Sequence, residues 1–535
     1  MSSLSSSPSS PPPSSVVHAM IALLLTQSYL LISPFVYSGA ISLWFYPHLT
    51  KSEAGFYAGF VSSSFMFGRT FSSYYWGKQT DKYGRKTILM LTLSISILLN
   101  VALGLCTTFP SFIFSRFLLG FFNCVPGVLK TIISESARGD KEWEQNTMGL
   151  VFGMWGAGFL IAPLISGWLS DPVSQFPDSQ FVQHSFLTPM FKKYPFLLPN
   201  LFGGIVTFVC VIWLYVSLEE TLPEEQREDY PIPAFLLNRF SFLRMHNNRY
   251  KRVRSDVEIE LVETVETAET GIELAQSSGV ELEKVEEGSS TNPNHNKNPK
   301  AANPPPPPPT TIKSLLSKRS TRGLLIVYWL FSFVIIATDE IVPLFGLNSN
   351  AGGLHLQVKS IGTFISAAGI IYVLIQYRAY KYFVNTLGRE NCMVLGTLIY
   401  GPLSFLIPFV LFIPNSRPPG EMGWSRFIFL GLTIGLSRTF ASMHFSSVSL
   451  LLNDSVEKEV RGTMNGLSTL GGSVMKFLGP IFAGVLFAGC VNSDAWGAKV
   501  GAFAAFFVTG LLAIGVGLMA RSLVKEQNAV SDDNR

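Results

Sequence analysis

The chain has few charged residues for its length. Of its 535 residues only 14% are charged, whereas 48% are hydrophobic and 13% are aromatic. Because soluble proteins usually have about 25% charged residues, this composition excludes an ordinary soluble domain. The formal net charge of +4 is small, and the charges lie between apolar runs. No basic surface for nucleic acid is therefore expected.

Cysteine and histidine are also scarce. The five cysteines, an odd number, form no C-x-x-C pair, which argues against a disulfide framework and a structural zinc site. The seven histidines are scattered, so neither a metal site nor a metal-buffering loop is predicted. The sequence also lacks a Walker loop, a G-x-S-x-G elbow and an H-E-x-x-H motif. We therefore expect no enzyme activity, no cofactor and no direct use of ATP.

Long apolar runs dominate the rest of the sequence. A membrane-spanning helix needs about 20 predominantly apolar residues, and the chain has twelve such runs. They lie near residues 16–38, 54–76, 87–107, 111–133, 146–169, 196–217, 322–347, 360–384, 391–413, 426–450, 464–488 and 498–521. These spans, numbered one to twelve, predict an all-α membrane protein with two six-helix halves, residues 16–217 and 322–521.

Three segments lie outside the predicted spans. The tail 1–15 is rich in serine and proline and lacks the positive start of a signal peptide, so span one is expected to be retained. The linker 218–321 combines a basic stretch, an acidic stretch and a six-proline tract, a composition that cannot form a core. We interpret its basic stretch as a solvated charge run, with binding to an anionic membrane surface as the alternative. The last segment is the tail 522–535.

Lysine and arginine are concentrated in alternate loops. Because basic residues resist translocation, the loops that carry more of them are expected on the cytoplasmic side. The loops on this side follow the even-numbered spans and contain Lys78, Lys82, Arg85, Lys86, Arg138, Lys141, Arg378, Lys381, Arg389, Lys458 and Arg461. We therefore expect a multi-pass protein with both termini in the cytoplasm. The sequence leaves open whether the membrane is the plasma membrane or a vacuolar-type internal membrane.

A short motif connects spans two and three, where residues 77–86 read GKQTDKYGRK. Its glycines permit a tight turn, Asp81 can meet the positive N-terminal end of a neighbouring helix, and Arg85 can pair with a carboxylate. The alternative is that its basic residues only anchor the topology. The residues expected to act in gating are Gly77, Asp81, Gly84, Arg85 and Lys86, with Glu135 as the partner of Arg85. The segment resembles the signature loop of the major facilitator superfamily, and residues 381–390 are a weaker version in the second half.

Small residues line spans five and eleven. Residues 158–167 read GFLIAPLISG and are similar to an antiporter motif of that superfamily, and residues 479–484 read GPIFAG. Such residues let two helices approach closely and slide or rock, with simple packing as the alternative. The residues assigned to helix packing are Gly158, Pro163, Gly167, Gly479, Pro480 and Gly484.

Other segments extend the resemblance across most of the predicted membrane part. SRFLLGFFNC at 115–124, Glu220-Thr-Leu and RGTMNG at 461–466 are similar to the zinc-induced facilitator-like branch. The resemblance implies the major facilitator fold and proton-coupled export of metal chelators, metal-linked solutes or monovalent cations. The chain lacks the cysteine pair before span one and the histidines after span six that plant members have, so no zinc linkage is inferred.

Ionisable side chains inside spans are costly unless they face a cavity or a partner. The candidates for proton coupling or for lining the cavity are Glu340, Asp339, Arg116, Arg69, Lys130, Arg438 and Lys476. Glu340 is the first candidate for proton coupling, because a carboxyl group removed from water binds a proton more readily and a substrate can then compete with that proton. The alternative for Glu340 and Asp339 is a structural ion pair with Lys476 or Arg438.

The other ionisable residues have alternatives of their own. Arg116 and Gly120 form an R-x-x-x-G pattern that resembles a superfamily motif linked to proton movement, and the alternative is a charge that snorkels to the outer interface. Lys130 and Lys476 suit an anionic substrate, although Lys130 could equally snorkel. His444 is interpreted as an interior histidine rather than a metal ligand.

The resemblance and these charges together predict a secondary active transporter that moves a small molecule or ion by alternating access. We expect proton coupling, with antiport favoured over symport, and a monomer whose partners are the solute, protons and the lipid bilayer. The alternatives are a membrane sensor that keeps the same fold and an uncoupled uniporter. The sequence does not specify the solute.

Overall fold

The computed structural model describes residues 14–51, 53–137, 140, 143, 147, 155–184, 186–222, 227, 316–348, 352–456, 461–493 and 497–533. Predictions for residues 1–13, for most of the linker and for Arg138, Lys141 and Lys458 lie outside these residues.

The first half is built from helices of very different lengths. The long helices are α1 (Ser14–Phe45), α2 (Ala54–Tyr83), α3 (Arg85–Gly104), α4 (Phe109–Phe121), α5 (Val125–Ser136), α6 (Trp155–Leu169) and α10 (Leu197–Ser217). The short helices α7 (Pro172–Gln175), α8 (Gln180–His184) and α9 (Thr188–Lys193) join α6 to α10.

The second half has five long helices. They are α11 (Arg319–Leu347), α12 (Val358–Leu406), α13 (Trp424–Asp454), α14 (Arg461–Val491) and α15 (Gly497–Asp533), and a 3₁₀ helix (Ile407–Phe412) follows α12. The described residues contain no β-strand. Helices are expected here because hydrocarbon offers no partner for backbone N–H and C=O groups, which a helix satisfies internally.

The helices account for the predicted spans. Within the described residues, nine stretches are long and apolar enough to cross a membrane. The helices α2, α6 and α13 supply the remaining three spans, and of these α6 is described only from Trp155 onward. The predicted all-α membrane fold is therefore confirmed.

Three spans differ in detail from the prediction. Span four is broken between α4 and α5, where Pro126 lies in the first turn of α5 and lacks a backbone N–H to continue the preceding helix. Spans eight and nine are joined in the single element α12, whose helical path is interrupted only by Gly388, with φ of 81°.

The two halves meet along α2 with α14 and along α6 with α12. A Cβ atom added to Gly59 would lie 2.5 Å from the Pro480 carbonyl oxygen, and one added to Gly484 would lie 2.1 Å from the Gly55 oxygen. Gly167 approaches α12 in the same way, with 2.9 Å to the Val358 oxygen. Because only glycine leaves room for such contacts, the halves are packed backbone to backbone at the end of the helices away from residues 77–86.

The remaining residues assigned to helix packing also lie at helix contacts. Gly158 faces Ser28 of α1, and Gly479 faces Ile336 of α11. The carbonyl oxygen of Pro163 would lie 2.2 Å from a Cβ at Gly362. All six residues are therefore at close contacts between helices, and whether the helices slide there stays a prediction.

Candidate functional site

Glu340 is a buried carboxyl group at the boundary between the halves. Its side chain is on α11, with 0% of the residue exposed, and its Oε1 accepts a hydrogen bond of 3.0 Å from Ser38 of α1. Its Oε2 makes no hydrogen bond within the part of the chain that the structure describes. Ser62 of α2 lies close to the same carboxyl group, and its buried hydroxyl also has no hydrogen-bond partner there. One oxygen of the carboxyl group therefore has a hydrogen-bond partner, and the other lies near a serine hydroxyl that has none among the described residues.

Asp339 precedes Glu340 but has a different environment. Its carboxylate forms an ion pair with Arg438 of α13, and both side chains are largely buried. The Arg438 guanidinium lies 4.2 Å from the ring centre of Phe159 on α6, so this pair also touches the other half. The ion pair that the sequence left as an alternative is thus present for Asp339. Glu340, by contrast, has no ion-pair partner among the described residues.

A cavity adjoins this ion pair between the two halves. Its walls come from α1, α6, α11, α12 and α13 and are mainly apolar, with Asp339 and Arg438 on one side. The other residues that line it include Phe35, Phe159, Pro163, Ile336, Tyr400 and Ser437. Such a mainly apolar pocket with a few polar groups is typical of small-molecule sites. The aromatic residues Phe159 and Tyr400 were not predicted, because no pattern distinguishes cavity-lining aromatic residues from lipid-facing ones.

Arg116 is fixed inside the first half. Only 1% of it is exposed, and its guanidinium donates hydrogen bonds of 3.1–3.3 Å to the carbonyl oxygens of Leu30, Leu31 and Val61. The alternative in which this side chain snorkels to the outer interface is therefore wrong, because its donors are bound by backbone carbonyls of α1 and α2. It makes no ion pair with Glu340, and its link to proton movement stays a prediction.

Three further cations come from different helices. Arg69 of α2, Lys130 of α5 and Lys476 of α14 are partly buried. The rings of Phe67 on α2 and Phe477 on α14 lie 4.7 Å apart, so Arg69 and Lys476 lie at a similar level of the contact between these helices. The role of these three cations in a cavity stays a prediction.

The loop at residues 77–86 is tied to two other parts of the first half. Arg85 pairs with Asp81 at 3.2 Å and with Glu135 of α5 at 2.8 Å. Glu220, which follows α10, accepts hydrogen bonds from the backbone N–H groups of Arg85 at 2.7 Å and Lys86 at 3.0 Å. Glu220 rather than Asp81 therefore satisfies the N-terminus of α3. Within the described residues, Asp81 pairs with Arg85 instead of meeting a helix end.

Lys86 and Gly77 complete the loop. The Lys86 ammonium group donates a hydrogen bond of 3.0 Å to the Tyr215 carbonyl oxygen and lies 5.4 Å from the centre of the Tyr215 ring. Gly77 has open space where a Cβ atom would lie. The sequence did not predict that Glu220 accepts the backbone N–H groups at the start of α3. One signal for it was present, because Glu220 is a carboxylate that directly follows span six on the same side of the membrane as the loop at residues 77–86.

Several known proteins are similar to this chain in sequence over most of its length. The "Probable peptide/nitrate transporter" of Arabidopsis thaliana is 28% identical over 443 residues, which cover 82% of this chain and 77% of that protein. Zinc induced facilitator 1 of the same plant is 27% identical over 444 residues, which cover 82% of this chain and 76% of that protein. The predicted similarity to the zinc-induced facilitator-like branch is confirmed by such relatives.

Solved structures and the family profile agree with these relatives. A D-xylose-proton symporter matches with a TM-score of 0.59 and 13% identity over 95% of this chain and 96% of that one, which shows a shared fold. The sequence profile of the Major Facilitator Superfamily matches residues 21–480. The chain therefore belongs to the Major Facilitator Superfamily, as an integral membrane protein with transporters of small molecules among its relatives.

Proposed function

We propose that the protein is a secondary active transporter that exchanges protons for a small solute by alternating access, with Glu340 as the proton-binding group. The observation that carries the proposal is the setting of this carboxyl group. It is wholly buried, bonded to the opposite half through Ser38, and without an ion-pair partner among the described residues.

Protonation changes what this carboxyl group can bind. A charged carboxylate only accepts hydrogen bonds, whereas a protonated one also donates one. With a proton on Oε2, Glu340 can donate to the neighbouring Ser62 hydroxyl, which has no other partner in the described part of the chain. Glu340 would then join α11 to both α1 and α2. Loss of the proton would leave a negative charge in this buried site, and the Ser62 hydroxyl, which can donate as well as accept, would then be the donor to the carboxylate.

The packing of the halves suits this exchange. Glu340 and Ser38 are 302 positions apart and belong to different halves, so their hydrogen bond is made or broken when the halves move relative to each other. The halves are packed closely at the end away from residues 77–86. Proton binding at a link between the halves is a means of coupling their movement to a proton gradient.

Asp339 is less suited to this role. Its charge is already balanced by Arg438, so a proton arriving at Asp339 would leave the Arg438 charge without its partner. We assign this ion pair to holding the cavity wall. The proposal also includes cytoplasmic termini, from the lysine and arginine distribution, and a monomer, because one chain supplies both halves.

The test is solute-dependent proton flux in proteoliposomes that contain the full-length protein. Metals, metal chelators, monovalent cations and organic anions are added in turn, and proton movement is followed with an entrapped pH indicator. We expect one solute class to drive proton movement in the direction opposite to its own. The same flux is expected to be lost in Glu340→Gln and retained in Glu421→Gln, which changes an exposed glutamate near α13.

Other outcomes correspond to the alternatives. Solute uptake without proton movement would identify a uniporter, and proton movement in the same direction as the solute would identify a symporter. Failure of every solute to cross would favour a sensor. Unchanged flux in Glu340→Gln would assign proton coupling to another residue.

A further inference from the structure

The cavity beside Asp339 and Arg438 has no net charge. Among the described residues that line it, these two alone carry a charge, and their opposite charges meet in one ion pair. A solute with a single charge would therefore leave one charge unbalanced in a mainly apolar cavity, which is costly away from water. The cavity is complementary to a solute that is neutral overall.

The ion pair still has hydrogen-bonding capacity for a solute. A guanidinium group has five N–H donors and a carboxylate has two acceptor oxygens. Within the described residues, the two side chains share one hydrogen bond, from Arg438 Nη2 to Asp339 Oδ1. Their other polar atoms are not sealed inside the protein, because the Asp339 and Arg438 side chains are 12% and 15% exposed and both line the cavity. A solute can thus reach a donor group and an acceptor group that touch each other.

Pro343 adds a second acceptor at Asp339. This proline lies inside α11 and lines the cavity. Because proline has no backbone N–H, the carbonyl oxygen four residues earlier, which belongs to Asp339, lacks its usual helical donor. No side chain in the described part of the chain donates a hydrogen bond to this oxygen. The carboxylate and the carbonyl group of one residue are therefore both acceptors at this level of α11.

The first half of the molecule shows how such a carbonyl group is satisfied. Pro34 lies inside α1 and leaves the Leu30 carbonyl oxygen without its usual helical donor. The Arg116 guanidinium donates a hydrogen bond of 3.1 Å to this oxygen. A side-chain cation thus replaces the missing N–H group. At Asp339 no side-chain cation of the described residues donates to the carbonyl oxygen, so this position is open to a cationic group of the solute.

The rest of the cavity wall is mainly apolar. Phe35 and Val36 come from α1, Ile336 and Val342 from α11, and Tyr400 from α12. A branched or aromatic body gains affinity against such a wall in proportion to the apolar area that it buries. A sugar, by contrast, would lose the hydrogen bonds that its hydroxyl groups make with water. The cavity therefore favours an apolar body that carries its polar groups at one end.

We infer that the cavity binds an α-amino acid with an apolar side chain, such as phenylalanine. This inference names the substrate class of the proposed transporter and rests on that proposal. The solute carboxylate binds the Arg438 guanidinium, and the solute ammonium group donates to the carboxylate and the carbonyl oxygen of Asp339. An α-amino acid carries both groups on one carbon atom, which matches the direct contact between the two side chains of the pair.

Equilibrium binding to the purified full-length protein in detergent tests the inference without requiring transport. Phenylalanine is titrated in a calorimeter at neutral pH and fixed ionic strength, beside four compounds that each lack one of its features. Phenethylamine lacks the carboxylate, hydrocinnamate lacks the ammonium group, glycine lacks the apolar body, and ε-aminocaproate has its two charges far apart. We expect phenylalanine to bind at least about tenfold more tightly than each of them, since each loses a charged or an apolar contact.

Two variants should change the order of binding in opposite directions. Asp339→Asn leaves the Arg438 charge unbalanced, so phenylalanine binding should weaken by roughly ten- to a hundredfold and hydrocinnamate should bind more tightly than in the wild type. Arg438→Gln leaves the Asp339 charge unbalanced, so phenethylamine should gain affinity instead. A gain for one compound cannot result from misfolding. Lys499→Gln, which removes an exposed lysine, is the matched control and is expected to change nothing.

Several results would overturn the inference. Tighter binding of phenethylamine or hydrocinnamate than of phenylalanine by the wild type would identify an organic cation or anion as the solute. Equal binding of phenylalanine and ε-aminocaproate would show that adjoining charges are not required. An unchanged order of binding in both Asp339→Asn and Arg438→Gln would exclude the ion pair as the site. Binding of none of the five compounds would exclude the amino acid class.

The binding test is independent of proton coupling. Glu340→Gln is expected to bind phenylalanine with little change, since Glu340 is not among the residues that line the cavity. If the proposed antiport is wrong but the amino acid site is right, phenylalanine still binds and the two variants still change the order. If the site is wrong but antiport is right, another solute drives proton movement in proteoliposomes while phenylalanine neither binds nor drives it.

Discussion

The loop between α2 and α3 and its counterpart inside α12 have similar sequences and different surroundings. Gly84 and Gly388 both have positive φ, 100° and 81°. Arg85 after the first is buried and held by Asp81 and Glu135, whereas Arg389 after the second forms a half-exposed pair with Asp454 at 2.9 Å. A Gly-Arg turn therefore becomes a junction of several elements only where carboxylates from elsewhere converge on it. The first loop is thus tied to α5 and to the segment after α10, whereas the second contacts Asp454 at the end of α13.

The largest effect is expected from removing the buried arginine of the first loop. Arg85→Ala leaves the partly buried Glu135 carboxylate without its cation and removes one of the donors to the Thr80 carbonyl oxygen. Breaking a buried ion pair from one side costs about 3–5 kcal/mol, and this pair, whose Glu135 side chain is 30% exposed, is expected to lie near the lower end of that range. We expect a clear drop in the temperature of unfolding in detergent and loss of most transport activity. A stability equal to that of the wild type would contradict the role of this loop as a junction.

The second largest effect should distinguish the two glycines. Each has a backbone conformation that costs a side chain about 1–3 kcal/mol. A Cβ at Gly84 would also lie 2.4 Å from Glu220 Oε2, while a Cβ at Gly388 meets open space. Thermal unfolding should therefore show a larger loss in Gly84→Ala than in Gly388→Ala. Equal losses would show that backbone strain alone matters at both turns.

A smaller effect is expected from the carboxylate that caps α3. Glu220→Gln keeps the shape but removes the charge that accepts the N–H groups of Arg85 and Lys86. Losing a helix cap usually costs about 1 kcal/mol. The matched control is Glu219→Gln, since Glu219 is exposed and accepts neither of these bonds. Equal unfolding temperatures in the two variants would remove Glu220 from the junction.

The smallest effect is expected in the second loop. Arg389→Ala breaks the pair with Asp454, whose side chains are 49% and 52% exposed, so the loss should be under about 1 kcal/mol. Transport should remain near the wild-type level. If Arg389→Ala were as damaging as Arg85→Ala, the contrast between the loops would fail.

The sequence predicted the architecture better than the contacts within it. Apolar runs located the helices because each span must satisfy its backbone internally. The break before α5 is explained by Pro126. It was not predicted, because the apolar run around Pro126 is long enough for one continuous span. The pair of Arg85 with Glu135 could be predicted because the two residues have opposite charges and both lie at the cytoplasmic ends predicted for their spans.

The contacts around Glu340 could not be predicted in the same way. Ser38, Ser62 and Glu340 are brought together only when α1, α2 and α11 pack, and serine carries no pattern that marks it as a partner of a carboxyl group. The pairing of Asp339 with Arg438 was one of several possible pairings, because helix periodicity orients side chains without choosing between neighbouring helices. Burial of Arg116 depended likewise on three carbonyl oxygens of other helices.

The most direct test of proton coupling at Glu340 compares two transport modes in one variant. Proteoliposomes with Glu340→Gln are assayed with the labelled solute that moves in the wild type, first as exchange of labelled for unlabelled solute and then as accumulation driven by an imposed pH gradient. Our account predicts that exchange continues, because the solute site and the movement of the halves remain, while the pH gradient no longer drives accumulation. Accumulation driven by the gradient at the wild-type rate would contradict the assignment of the proton site to Glu340.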